Sequence, residues 1–140
     1  MRKTALVLGL LAATAMGAGA NAAVTNYKAS LSGAAEVPPV ASAGKGSASV
    51  SVDPATKAVS WHVVYSGLSG PAAAAHIHCG AAAGANAGVS VPFGANVASP
   101  IEGTGKMTDA QLADLQAGKC YVNIHTAANK GGEIRGQLSK

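Results

Sequence analysis

Hydrophobic and polar residues alternate along most of the chain beyond its first two dozen positions. In "TNYKASLSG" Tyr27, Ala29 and Leu31 fall on one side and polar neighbours on the other. "GSASVSVD" sets Ala48, Val50 and Val52 against three serines, and "KAVSWHVVYSGL" sets Val59, Trp61, Val63 and Tyr65 against Ser60, His62 and Ser66. A period of two is the mark of a strand with one face in a core and one in water. "AHIHC", "GVSVPF", "SPIEGTG", "CYVNIHT" and "EIRGQL" follow as five further short runs bounded by turn residues. About eight short strands at this spacing predict an all-β, antiparallel β-sandwich of Greek-key type.

One segment has a different rhythm. "MTDAQLADLQAGK" offers Thr108 as N-cap, Gln111 three residues on, and Met107 and Leu112 placed as a hydrophobic staple. Leu112 and Leu115 form a narrow apolar stripe and Gly118 stands where a left-handed cap residue belongs, so a single short helix is predicted near 109–117. "DPATK" reads as a tight hairpin connection, while "AEVPPVASAGKG" at 35–46 is a loop, because consecutive prolines offer no ladder donors.

The first residues, "MRKTALVLGLLAATAMGAGANAAV", carry two basic residues, an uncharged apolar stretch and a small-residue site at "ANA". That is the pattern of a signal peptide over residues 1–22, cleaved after Ala22, with residues 23–140 as one domain in the periplasm or outside the cell. The apolar stretch is too short to cross a bilayer about 30 Å thick, and no later segment is longer, so no membrane span is expected. Formal net charge is +4, of which Arg2 and Lys3 supply two. The remaining basic residues are scattered singly and aromatics make up only 4% of the chain, so the sequence lacks a nucleic-acid-binding signature.

Candidate chemistry gathers around the two cysteines, Cys79 and Cys120. In an oxidising compartment pairing is the default, which predicts a disulfide; the alternative is Cys79 as a soft metal ligand. If they pair, alternation turns Ile77, Val122, Ile124 and Thr126 inward with the cysteines. It turns His76, His78, Asn123 and His125 the other way, toward solvent or a covering loop. A hairpin joining the last two runs adds Glu133 and Arg135 to this polar face, with Glu133 near His125, and a turn in "YSGLSGPAA" could bring His62 toward His76. Neutral imidazoles suit copper(II) or zinc, and His76, His78 and His125 are the candidate ligands. The competing reading is that these histidines only hydrogen-bond to Glu133, Asn123 and carbonyls and so tie strands to loops; H-x-H alone does not choose. No catalytic residue is assigned. There is no G-x-S-x-G, the acids are too scattered for a glycosidase pair, and glycine-rich "GAAAGANAG" lacks the Lys-Ser/Thr of a phosphate loop.

"GAAEVPPVASAGKGSASVSVD", "VVYSGLSGPAAAAHIH", "GKCYVNIHT" and "GGEIRGQL" occur here in the order of the CHRD domain, which this sequence resembles from about Tyr27 to Leu138. That family is named for chordin, an extracellular antagonist of bone morphogenetic proteins. The resemblance implies a small, secreted, all-β module without an established biochemical activity, acting as a binding or structural unit on an unknown protein or extracellular ligand. Its pattern falls here on Glu36, Pro38, Pro39, His76, His78, Tyr121, Asn123, His125, Glu133, Arg135 and Gly136. Cys79 and Cys120 depart from the commoner "HIHG" and "G-x-x-YVN" forms, which points to a subfamily disulfide. The strand number, H-x-H pair, later histidine and disulfide are more loosely similar to copper/zinc superoxide dismutase. The long aspartate-containing zinc loop of that enzyme is missing, so at most a reduced, dismutase-like copper site is implied.

Overall fold

The computed structural model describes residues 22–140. The leader expected over residues 1–22 lies, but for Ala22, outside the described residues. Eight strands follow in chain order: β1 (Thr25–Ser32), β2 (Lys45–Val52), β3 (Ala58–Ser66), β4 (Ala72–Cys79), β5 (Val89–Pro92), β6 (Ile101–Lys106), β7 (Cys120–Thr126) and β8 (Ile134–Gln137). The helix α1 (Asp109–Gln116) lies between β6 and β7, and a 3-10 turn (Gly33–Ala35) follows β1. All eight strands pair antiparallel in one sheet of order β5-β4-β7-β8-β1-β2-β3-β6.

The sheet curls until its ends nearly meet, so the two expected layers are two halves of one sheet. Trp61 on β3 stacks on Phe93 just past β5, with ring centroids 4.6 Å apart. The two edge strands come close at Gly105 on β6, where a Cβ would sit 3.6 Å from Val91 Cγ1 on β5. Alternation places the core as predicted: Tyr27, Leu31, Val50, Val52, Val59 and Val63 are buried with Ile77, Val122, Ile124, Ile134 and Leu138 from the other half. Each such aliphatic side chain contributes roughly 1.5–3 kcal/mol by leaving water.

Local chemistry sets the connections. Asp53 Oδ1 accepts the Ala55 and Thr56 amides at 2.8 and 3.2 Å and closes the β2–β3 hairpin. Thr108 and Gln111 form a complete capping box that starts α1, and Leu115 buries the helix against the core. Two irregular segments then cross the outer face of β4, β7 and β8: residues 33–44 after β1 and residues 80–88 after β4. They decide what the site becomes.

Candidate functional site

Cys79 and Cys120 stand directly opposite each other on β4 and β7 and form a disulfide, with Cα atoms 4.1 Å apart. Their pairing sets the register that places His78 opposite Tyr121 and His76 opposite Asn123. His125 lies opposite Ala74, diagonal to His76, where the small methyl leaves room for its ring. The three histidines therefore converge on the outer face of β4 and β7. One nitrogen from each lies within 4.8 Å of the others.

Two of these rings are oriented by main-chain carbonyls. His78 Nδ1 is 2.9 Å from the Ala87 carbonyl, and His125 Nδ1 is 2.9 Å from the Lys130 carbonyl. A carbonyl only accepts, so both Nδ1 atoms carry a proton, and in the neutral form of each ring Nε2 then presents a bare lone pair. His78 Nε2 is buried and has no hydrogen-bond partner. His76 Nδ1 lies 3.1 Å from His125 Nε2. Burial, reinforced by His125 and His78, pushes the His76 pKa down to about 4. Burial also lowers that of His78, against the hydrogen bond to Ala87 that raises it. Both rings are therefore neutral near pH 7.

Around this cluster the polar face is covered rather than solvated. His78 stacks on Tyr121 with centroids 4.8 Å apart and rings 3° from parallel, and the Arg135 guanidinium lies 4.2 Å above the Tyr121 ring. Arg135 donates from Nε to the Ala35 carbonyl, from Nη1 to Asn86 Oδ1 and from Nη2 to the Ala85 carbonyl, at 2.9, 2.9 and 3.0 Å. Buried Glu36 accepts a short hydrogen bond from Asn123 Nδ2 and stands 4.0 Å from Arg135. Its burial raises the carboxyl pKa, with Asn123 and then Arg135 pulling the other way. Gly132, at φ +125°, passes over this pair, and a Cβ there would strike both Asn123 and Glu36.

Two expected members lie elsewhere. Glu133 does not face His125, although the β7–β8 register sets the two backbones side by side. It falls in a bend before β8, and its buried carboxylate accepts from Ser42 Oγ, Ser69 N, Ser69 Oγ and Thr126 Oγ1 at 2.6–2.8 Å. Desolvation works to raise its pKa, but the Thr126, Ser69 and Ser42 hydrogen bonds prevail and hold it at about 2. His62 does not approach His76: it is exposed on β3 and pairs with Glu102 on β6 at 2.7 Å. The β2–β3–β6 ladder holds it on that side of the molecule. Tyr121 falls on the histidine face, as alternation and the CHRD pattern both place it, whereas Asn86 and the Ala87 and Lys130 carbonyls sit in aperiodic loops and had no sequence signal.

The CHRD domain family model matches residues 27–138. The chain belongs to the CHRD domain family. No curated protein and no solved structure matches it. The CHRD match takes in β1 from Tyr27 and the seven later strands whole, and both covering segments lie within it. Among the described residues no helix is long and apolar enough to cross a membrane, and the disulfide of this CHRD chain fits a secreted protein.

Proposed function

We propose that the protein is an exported CHRD module that binds one copper(II) or zinc(II) ion through His76, His78 and His125. The observation that carries this reading is His78 Nε2: a buried lone pair without a partner, on one of three imidazoles whose ligand nitrogens lie within 4.8 Å of one another. A buried acceptor left unmatched costs about 1–3 kcal/mol, and an ion at the cluster removes that cost. Carbonyl-bonded Nδ1–H groups on His78 and His125 are the outer-shell arrangement that orients metal-ligating histidines. Imidazole donors suit zinc and copper(II), with metal–nitrogen distances of about 2.0–2.1 Å. Bringing the donors to that distance asks for small ring movements, since they already lie within 4.8 Å. Three protein ligands leave a position for water or a small ligand, where a bound ion would supply Lewis-acid or redox chemistry.

A second reading, a binding or structural module without metal, is favoured by the His76–His125 contact, which uses one of the three lone pairs for a hydrogen bond. Calorimetric titration of the oxidised protein with zinc(II) and copper(II) separates the two. The metal reading expects one saturable site that disappears in a His76→Ala, His78→Ala double variant. Absence of saturable binding, or binding indifferent to the double substitution, sinks it and favours the structural module.

A further inference from the structure

His78 is the most enclosed of the three histidines, and its ring is set by Tyr121 of the sheet on one face and by a loop carbonyl at Nδ1. Residues 80–88 consist almost wholly of alanine and glycine, and of these only Ala81 is buried. So little apolar area cannot fix the loop, and its position rests on polar pins. Gly80 and Ala81 donate to the Lys119 carbonyl, and Gln137 Nε2 donates to the Ala81 carbonyl at 3.0 Å. At the far end Asn86 is held from two sides: its Oδ1 accepts from Arg135 Nη1, and its Nδ2 donates to the Val37 carbonyl at 2.9 Å. The next residue is Ala87. Its carbonyl takes the His78 Nδ1 proton and also accepts from Tyr121 Oη at 3.2 Å, while its amide lies 3.1 Å from the same phenol oxygen.

We propose that Asn86 is a positioning residue for the histidine cluster: clamped between Arg135 and the Val37 carbonyl, it holds the Ala87 carbonyl at His78 Nδ1 and so keeps the Nε2 lone pair turned into the cluster. The clamp joins three separate parts of the chain, residues 33–40, the 80–88 loop and β8, over one ligand candidate. Without it, His78 loses a fixed acceptor for Nδ1–H, and its ring can exchange tautomers or turn. The consequence for metal affinity rests on the metal reading above; the consequence for the ring does not.

Asn86 is exposed, so its replacement leaves the core untouched. Long-range proton–nitrogen correlation spectra of the metal-free, 15N-labelled protein at pH 7.5 report the tautomer of each ring. The wild type should show His78 as a single Nδ1–H form. Asn86→Ala should show mixed tautomers at His78 with His125 unchanged, and zinc(II) affinity, read by competition with a chromophoric chelator, about 10-fold weaker. Asn86→Asp keeps the acceptor for Arg135 but loses the donor to the Val37 carbonyl, so it breaks one arm of the clamp and should show less of the second tautomer than Asn86→Ala; a larger effect than in Asn86→Ala would count against the Arg135 arm. An unchanged His78 tautomer in Asn86→Ala overturns the proposal whatever the wild type binds. Mixed tautomers in that variant, with a wild type that binds neither zinc(II) nor copper(II), uphold the clamp and overturn the metal reading instead.

Discussion

The two halves of the sheet use the same alternation to opposite ends. In the β1–β2–β3–β6 half, polar residues such as Lys28, Ser49, Ser60 and His62 stand exposed in water while Val50, Val59 and Val63 fill the core. In the β4–β7–β8 half both faces are buried: Ile77, Val122 and Ile124 inward, and His78, Tyr121, Asn123 and Arg135 outward beneath residues 33–44 and 80–88. A covered polar face must satisfy each of its groups internally or bear the cost of desolvation. The β4–β7–β8 half spends stability on enclosing charged and imidazole groups; a buried nitrogen without a partner occurs in each half, the donor Trp61 Nε1 in the first and the acceptor His78 Nε2 in the second.

The contrast can be broken most severely at the staple. Replacing Cys79 and Cys120 together with serine should lower unfolding free energy by about 3–4 kcal/mol, read from urea titration, because the denatured chain regains the freedom of a loop of about 40 residues. A loss below about 1 kcal/mol would show that the covered half holds its register without the bond.

Glu133→Gln sharpens the comparison next, with an expected loss of about 2 kcal/mol from weakening hydrogen bonds to a buried carboxylate. The pH dependence has a definite sign. The folded carboxyl is held at about 2 against an ordinary value of 4.5, so between these limits the unfolded chain binds more protons. Its contribution is complete above about pH 4.5 and drains away as pH falls toward 2. In Glu133→Gln that component of the acid slope should vanish; an identical slope in both proteins would assign it to other groups.

The smallest effect belongs to the open half. His62→Ala removes an exposed pair with Glu102 and should shift stability by no more than about 0.5 kcal/mol, with metal titration unaltered. A change in metal affinity on this substitution would return His62 to the site and erase the distinction between the faces.

Much of this was legible in the residues. Tyr27, Val50 and Trp61 mark the core face of their strands by period alone, and Thr108 with Gln111 announces the helix start. Pairing Cys79 with Cys120 also implies that His76, His78 and His125 share the opposite face, since each strand inverts its side chains at every step. Glu133 escaped the same reasoning because its bend interrupts the alternation just where the rule was applied. The match of His62 to the cluster failed because strand order, unlike face, has no local signature.

The sequence by itself determined the strands, their faces, the capped helix and the separation of the disulfide from the histidines. These follow from interactions between near neighbours, repeated at a fixed period. Only the tertiary structure decided that the polar face is roofed, that three imidazoles meet there, and that Glu133 turns away to Ser42, Ser69 and Thr126. Those outcomes depend on contacts between distant, aperiodic segments, as in the Arg135 bond to the Ala35 carbonyl across 100 positions of chain. Alternation states which side of a sheet a residue occupies; what comes to lie over that side is settled by the loops that fold across it.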